Sequence, residues 1–359
     1  MNSYIHGIDP FAIQIYGDIG IRWYGLSYLM GFIGGYYLLK YMAKRKVICL
    51  SVDQVGDFVT WMAISIMLGG RVGYTLFYSP STLMEFSSQF PFWGLLEVHK
   101  GGMSSHGGML GILVGAYLFS RKTNKNYLQL IDLVSINGGI GFFFGRIANF
   151  INGELYGRAV DSATSWSVKF PQELLYWAGY MPQKLKALYP AVETYMKTVP
   201  EQKIITQLDP GLWNTWVQGF RGAFHNKMYN LINAIIEQTQ AGNEQLRQSL
   251  QQVLTARYPS QLYQSAMEGF LVFVILVAVW WKPRKPGVIT GWFAILYGIM
   301  RILGEQFRMP DAHIGYELMG LTRGQWLSVV LVGIGVGILI YAVKKEGEVA
   351  GGLGPDAQR

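Results

Sequence analysis

The sequence GGIGFFFGRIANFINGELYGR, residues 138–158, begins as an apolar helix and ends in a polar string with arginine, asparagine and glutamate. A charged side chain at bilayer depth costs about 2.5–3.5 kcal/mol on insertion scales, so such residues are functional candidates. Arg146 and Asn149 are three residues apart and share one helix face, and Glu154 lies at its outer end. The stretch therefore predicts a membrane helix that ends in a polar site.

Further apolar segments lie on both sides of this helix. A hydrocarbon core ~30 Å thick needs about 20 mostly apolar helical residues to cross it. The predicted spans are residues 20–40, 57–78, 103–120, 130–151, 262–281, 288–307 and 325–343. Only 14% of the residues are charged and 51% are hydrophobic, whereas soluble proteins carry about 25% charged residues. The sequence predicts an all-α membrane protein with about seven transmembrane helices.

The basic residues orient these helices. Basic residues cluster after the first, third, fifth and seventh segments. After the first segment these are Lys40, Lys44, Arg45 and Lys46, and after the third they are Arg121, Lys122 and Lys125. After the fifth segment they are Lys282, Arg284 and Lys285, and after the seventh they are Lys344 and Lys345. Because cytoplasmic loops carry the excess of Lys and Arg, the N-terminus is predicted outside and the C-terminus in the cytoplasm. The net charge of +8 fits such loops and anionic headgroups, and by itself is no evidence of nucleic-acid binding.

Four regions follow from this topology. Residues 1–158 contain helices 1–4, residues 261–345 contain helices 5–7, and residues 346–359 are predicted to form a disordered cytoplasmic tail. Residues 159–260 are too polar to span and are predicted to form an enlarged extracytoplasmic cap between helices 4 and 5. Within this cap, residues 226–254 are predicted to be helical, with an apolar stripe of Met228, Leu231, Ile232, Ile235 and Ile236.

Several ionisable residues are predicted at bilayer depth: Arg71, His106, Arg146, Glu154, Arg301, Glu305 and Arg308. Tyr297, Arg301 and Glu305 are four residues apart and share one helix face. Two interpretations remain open. Ion pairs such as Arg146–Glu305 or Arg301–Glu154 could hold the bundle together. Alternatively, because arginines outnumber acids, the surplus positive charge could bind a phosphate, which the planar guanidinium suits.

His106 lies between small residues in GGMSSHGGMLG, residues 101–111. Because glycine leaves space around it, the imidazole is predicted to be reachable. It could act as a general base or form a hydrogen bond between helices.

Five separated stretches resemble the bacterial prolipoprotein diacylglyceryl transferases. They are IRWYGLSYLMGF at 21–32, GGMSSHGGMLG at 101–111, GRIANFINGELYGR at 145–158, PSQLYQSAMEG at 259–269 and YGIMRILGEQFRMPD at 297–311. The resemblance covers the membrane part and is weak over residues 160–256. Tyr258 stands where the family pattern has histidine.

The resemblance implies transfer of a diacylglyceryl group from phosphatidylglycerol to the lipobox cysteine of a preprolipoprotein, with release of glycerol phosphate. It implies a multi-pass protein of the bacterial inner membrane, with its active site near the outer face and with no cofactor or metal. The residues that match the family's catalytic ones are His106, Arg146, Arg301 and Glu305. Those that match substrate-binding ones are Tyr24, Asn149, Glu154, Gly157, Tyr297 and Arg308.

A transporter or flippase for an anionic lipid is the alternative. Glycine-broken helices and charges near the midplane are typical of transporters too. The sequence shows no convincing internal repeat, however, and its polar string is concentrated at one end of a helix. A lipid transferase of the CDP-alcohol type would carry a DxxDG–AR motif, which this sequence lacks.

Overall fold

The computed structural model describes residues 3–16, 19–88, 91–97, 102–161, 166–199, 208–310 and 315–355. The chain forms two compact units. The first unit spans residues 1–28, 143–268 and 300–328, and the second spans residues 29–142, 269–299 and 329–359. The division by sequence order, with boundaries at 158, 260 and 345, stays a prediction.

The described residues are mostly helical. The helices are α1 (Trp23–Lys44), α2 (Val52–Phe77), α3 (Ser105–Thr123), α4 (Tyr127–Ile151), α5 (Glu173–Tyr180), α6 (Tyr189–Thr198), α7 (Pro210–Gln218), α8 (His225–Gln240), α9 (Glu244–Val253), α10 (Ser260–Gln264), α11 (Val272–Val279), α12 (Val288–Gly304) and α13 (Arg323–Lys344). A π-helical segment, Ser265–Leu271, joins α10 to α11. Two short sheets pair β1 (Tyr4–Ile5) with β4 (Val168–Lys169) and β2 (Phe11–Tyr16) with β3 (Ile19–Arg22).

Helices occupy all seven segments that hydropathy singles out. Four of them are long and apolar enough to cross a bilayer: Val52–Phe77, Tyr127–Ile151, Ser260–Val279 and Arg323–Lys344. Only 17% of the most apolar window of α13 is buried, and an exposed apolar surface of this kind is expected where the surroundings are lipid. The part of the chain that the structure describes is therefore mostly helical with four candidate spans, and the full number of spans and their orientation stay predictions.

Glycines let α2 and α3 approach closely in the second unit. A Cβ at Gly107 would overlap the carbonyl oxygen of Gly69, and a Cβ at Gly111 would overlap that of Ser65. Small residues at such a contact allow backbones to meet, which is how helices associate in a membrane. The glycines near His106 therefore pack α3 against α2, in addition to leaving space around the imidazole.

Two buried charges of the second unit have structural partners. Arg71 donates hydrogen bonds to the carbonyl oxygens of Leu95 (2.9 Å), Gly94 (2.7 Å) and Gly102 (3.1 Å) and so holds the loop between α2 and α3. Asp132 of α4 accepts from the backbone N–H groups of Gly287 (2.7 Å) and Thr290 (2.8 Å) at the start of α12. A carboxylate in this position satisfies N–H groups that a helix leaves unpaired.

The cap region has a hydrophobic core of its own, built from α5–α9 and the turn before α6. All five residues of the predicted apolar stripe on α8 are buried, which confirms that prediction. The prediction of one continuous helix over 226–254 is wrong, because α8 ends at Gln240 and α9 begins at Glu244. Between the two helices Gly242 adopts φ +94°, which turns the chain, and Asn243 caps α9.

The described part of the tail is hydrogen-bonded, which differs from the disorder predicted for it. Arg284 and Ala350 exchange two backbone hydrogen bonds, and the N–H groups of Leu353 and Gly354 donate to the carbonyl oxygens of Trp280 and Trp281. Hydropathy alone could not reveal these backbone contacts.

The α2–α3 contact predicts contrasting effects of two glycine substitutions. Gly111→Ala places a methyl group against the α2 backbone and should lower the thermal unfolding temperature in detergent. Gly56→Ala, in open space on α2, should be neutral or stabilising by up to about 1 kcal/mol, because alanine favours the helix. Equal effects of the two substitutions would contradict the close contact.

Candidate functional site

A buried carboxylate holds two arginines together in the first unit. Glu268 lies in the π-helical segment and has no solvent-exposed side-chain surface. Its Oε2 accepts from Nε (3.1 Å) and Nη2 (2.8 Å) of Arg146, and its Oε1 accepts from Nη1 of Arg301 (3.3 Å). The two arginines come from different helices, α4 and α12, and Glu268 fixes both.

A second carboxylate, Glu305, extends this arrangement. Its Oε2 lies 3.2 Å from Nη1 of Arg301 and 3.6 Å from Nη1 of Arg308. Its Oε1 accepts a hydrogen bond from the hydroxyl of Thr322 (3.1 Å). Arg301 and Glu305 are four residues apart at the end of α12, as the sequence predicts. Arg308 lies beyond the helix, which ends at Gly304, and a backbone bridge to Gly157 holds it there.

Arg146, Arg301, Arg308, Glu268 and Glu305 form what we call the arginine network. Three guanidinium groups and two carboxylates meet in these five residues. The arginine side chains keep 13%, 12% and 10% of their surface exposed, whereas Glu268 is fully enclosed. The small exposed surface of the network therefore belongs mainly to its arginines, and Glu268 contributes none.

A polar trio stands beside the network at the end of α4. The amide nitrogen of Asn149 donates to Oε1 of Glu154 (2.6 Å) and to the hydroxyl of Tyr24 (3.2 Å). Burial raises the pKa of Glu154 above its usual value. This rise is opposed by hydrogen bonds from Asn149 and Tyr24 and by the positive charge of Arg146. The trio can both donate and accept hydrogen bonds, as recognition of a hydroxyl-bearing group requires.

The loop after α4 is fixed by its backbone. The N–H of Gly157 donates to the carbonyl of Tyr258 (3.1 Å), and the N–H of Arg158 donates to that of Phe307 (2.9 Å). A Cβ at Gly157 would overlap the Tyr258 carbonyl oxygen and lie 2.7 Å from that of Phe307. Gly157 is thus required because three chain segments meet at its Cα, and no side chain fits there.

A buried ion pair ties this loop to the cap region. Arg257 pairs with Glu173 and donates to the carbonyl of Gly157 (3.0 Å). Glu173 has no exposed surface, and it also accepts from Trp177 Nε1 (2.9 Å) and Thr255 Oγ1 (3.0 Å). These contacts position the loop; they are separate from the arginine network.

The structure places eight of the ten predicted site residues in the first unit: Tyr24, Arg146, Asn149, Glu154, Gly157, Arg301, Glu305 and Arg308. His106 and Tyr297 belong to the second unit. His106 is exposed in the first turn of α3. The Tyr297 ring contacts those of Phe142 (4.4 Å between centroids) and Phe293 (5.8 Å).

Glu268 is not among the site residues predicted from the sequence, and the ion pairs of the arginines differ from the predicted ones. Arg146 pairs with Glu268 and not with Glu305. Glu268 lies inside an apolar segment and within PSQLYQSAMEG, so the same argument that selected the arginines could have selected it. Its partners are 122 and 33 residues away in sequence, and helical spacing cannot reveal such contacts.

Comparison of the sequence with known proteins assigns the chain to a family. Residues 10–341 match the family model described as prolipoprotein diacylglyceryl transferase. The chain is 48% identical over 338 residues to the phosphatidylglycerol–prolipoprotein diacylglyceryl transferase of Bdellovibrio bacteriovorus, covering 94% of this chain and 93% of the relative. It is 34% identical to the protein of that name from Neisseria gonorrhoeae, covering 95% and 98%, and 32% identical to that from Paramagnetospirillum magneticum, covering 97% and 98%.

The burial of Glu268 predicts a large effect of neutralising it. Glu268→Gln removes the negative charge between two guanidinium groups and should destabilise the fold by ~3–5 kcal/mol, as breaking buried ion pairs does. The exposed pair Glu193–Lys197, at 2.7 Å, provides the control, and Glu193→Gln should cost below about 1 kcal/mol. Denaturation in detergent compares the two. A Glu268→Gln protein as stable as the control would contradict the pairing.

Proposed function

The chain belongs to the prolipoprotein diacylglyceryl transferase family, and we propose that it transfers the diacylglyceryl group of phosphatidylglycerol to the cysteine thiol of a preprolipoprotein. The arginine network is the observation that carries this proposal. It brings three guanidinium groups, each with a little exposed side-chain surface, together within a protein that is 51% hydrophobic. A phosphodiester headgroup attached to acyl chains fits both properties.

The reaction needs the carbon–oxygen bond of the donor to break. The cysteine sulfur attacks the glycerol carbon that carries the phosphate oxygen, a carbon–sulfur bond forms, and glycerol phosphate leaves with that oxygen. Negative charge grows on the leaving phosphate, and donors aimed at growing charge lower the barrier most. We assign this role to Arg146 and Arg301, because guanidinium binds phosphate through two parallel N–H groups.

The acidic residues position these arginines. Glu268 contacts both guanidinium groups, and Glu305 contacts Arg301 and Arg308. Arginine side chains have many rotamers, and an enclosed carboxylate removes most of that freedom before the substrate binds. Glu154, Asn149 and Tyr24 would contact the headgroup glycerol, since their hydrogen-bonding groups match its hydroxyls.

The acceptor thiol must lose its proton. A cysteine thiol has a pKa of about 8.5, so few thiols are ionised at neutral pH. The family resemblance assigns His106 as the general base, and its exposure in α3 supports access to it. The proton would pass from the sulfur to an imidazole nitrogen.

The membrane arrangement that we propose includes more spans than the four candidate spans, and it also gives their orientation. We propose seven spans in the bacterial inner membrane, with the N-terminus outside, the C-terminus in the cytoplasm and the site near the outer face. The pattern of basic loops supports this orientation. Both substrates are anchored in the bilayer, one by its acyl chains and one by its signal helix, so a site at this depth is reachable by both.

The test of the function is a direct assay. Purified protein in detergent is incubated with phosphatidylglycerol and a lipobox peptide, and mass spectrometry measures the diacylglyceryl adduct on the peptide cysteine. The proposal expects the adduct together with an equal amount of glycerol phosphate. Well-folded protein that forms no adduct, but moves labelled lipid across proteoliposomes, would favour the transporter instead.

A conservative arginine substitution tests the phosphate role. Arg301→Lys keeps the charge but loses the planar pair of N–H groups, so transfer should slow by about 10²–10³-fold, as it does when one transition-state donor is lost. Arg247→Lys, which alters an arginine of the cap paired with Glu244, serves as the control and should stay near the wild-type rate. Wild-type activity of the Arg301→Lys protein would show a structural ion pair only.

The base assignment predicts a pH-dependent defect. His106→Gln should lower the transfer rate by about 10²–10⁴-fold at neutral pH. The defect should shrink above pH ~8.5, where the thiol ionises without help. His225→Gln, in the cap, is the matched control. A His106→Gln enzyme with near-normal rates at every pH would remove His106 from the mechanism and leave thiol activation to the arginines.

A further inference from the structure

The start of α13 lies against the arginine network within the first unit. The hydroxyl of Thr322, the residue before this helix, donates to Oε1 of Glu305 (3.1 Å). Two residues further along, a Cβ at Gly324 would lie 3.3 Å from Nη2 of Arg301 and 3.6 Å from Oε1 of Glu305. The start of α13 is therefore next to both members of the Arg301–Glu305 ion pair, although the proposed chemistry uses no residue from it.

The Thr322 hydroxyl has one hydrogen, and its two partners decide where that hydrogen points. The backbone N–H of Gln325 donates to the Thr322 oxygen (3.3 Å), as at the N-cap of a helix. This bond uses the hydroxyl as an acceptor, so its hydrogen is directed at Glu305, whose carboxylate can only accept. Thr322 thus joins the start of a 22-residue helix to one oxygen of Glu305.

Thr322 is itself held in place. The side-chain oxygen of Gln325 accepts from the Thr322 N–H (3.0 Å), which completes a capping box. The backbone of Thr322 also forms a bridge with Tyr316, and the residue is buried. A threonine side chain has a single χ1 angle and is stiff about it. The hydroxyl therefore has a fixed position from which it can orient the Glu305 carboxylate.

We propose that the start of α13 positions Arg301 for the transfer reaction, with Thr322 as a positioning residue that acts through Glu305. This role rests on the proposed function. Thr322 occupies Oε1 of Glu305, so that Oε2 faces Arg301 (3.2 Å) and Arg308 (3.6 Å). Without the hydroxyl, the carboxylate can rotate and pair both of its oxygens with the guanidinium groups, which draws them away from the phosphate.

Gly324 serves the same arrangement from the first turn of the helix. A methyl group at this position would press on Nη2 of Arg301. Because the methyl group would be attached to the backbone of a capped helix, the guanidinium would have to move instead. Glycine thus lets the helix start approach the network while Arg301 keeps its contacts with Glu268 and Glu305.

The first test compares two capping hydroxyls in the transfer assay. Thr322→Val keeps the shape of the side chain and removes its hydroxyl. It should lower kcat by about 10–100-fold, because a small displacement of a positioned group costs up to ~10²-fold. Ser51→Ala removes the hydroxyl of the equivalent capping box on α2, in the second unit, and should keep the wild-type kcat, as should Thr322→Ser. Equal kcat values for Thr322→Val and Ser51→Ala would overturn the inference.

A pair of alanine variants on α13 tests the close approach to Arg301. Gly324→Ala should lower kcat by about tenfold, again through displacement of the guanidinium group. Gly333→Ala, in open space on the same helix, should keep the wild-type kcat. Thermal unfolding verifies that each variant is folded. A Gly324→Ala enzyme as fast as the Gly333→Ala enzyme would show that the first turn of α13 does not position Arg301, and would overturn the inference.

A second background separates positioning from helix stability. Glu305→Ala removes the carboxylate through which Thr322 is proposed to act, so adding Thr322→Val to this variant should slow its residual transfer by less than about twofold. A loss by the same factor in both backgrounds would show that the hydroxyl only stabilises α13, and would overturn the inference while the proposed function stands. Folded wild-type protein that forms no adduct would instead overturn the proposed function itself.

Discussion

The contact between Glu268 and two arginines is the constraint on which the site depends. Burying an arginine in an apolar protein costs free energy unless an opposite charge lies nearby. An arginine whose charge is fully paired within the protein, however, would no longer attract an anionic substrate. The network meets both needs by placing a fully enclosed carboxylate against Arg146 and Arg301, while these arginine side chains keep 13% and 12% of their surface exposed. Glu268 thus stabilises and positions the two arginines, which bind the phosphate in the proposed reaction.

The local backbone makes that contact possible. Glu268 lies in a π-helical segment, a feature often found at functional sites because it redirects side chains from the regular helical period. Ser265 anchors the segment by donating to the carbonyl of Phe143 (2.9 Å). Gly157 lets the loop after α4 lie against the backbones of Tyr258 and Phe307. Each of these residues acts through the geometry of the chain, and none needs to touch a substrate.

Hydropathy and spacing predict much of this molecule. The apolar segments predict the helices, because their length and composition decide them locally, and the four-residue spacing of Arg301 and Glu305 predicts their ion pair. Arg308 is different, because α12 ends at Gly304 and Arg308 reaches Glu305 from a bridge to Gly157. Hydropathy and residue spacing do not predict contacts between segments that are far apart in the sequence. The pairing of Arg146 with Glu268, the capping of α12 by Asp132 and the hydrogen bonds of the tail all join residues far apart in sequence. The break between α8 and α9 is different, because Gly242 marks it locally in the sequence. The apolar stripe on α8 nevertheless leads to the prediction that the helix continues past this glycine.

We propose that Glu268 and Arg301 act as one unit in the transfer reaction. The decisive experiment is a double-mutant cycle, in which transfer rates are measured for Glu268→Gln, Arg301→Lys and the combined variant, each verified as folded. Residues that act as a unit show non-additive losses. We expect the combined variant to be about as slow as the slower single variant. Losses in rate that multiply would show instead that Glu268 and Arg301 act independently.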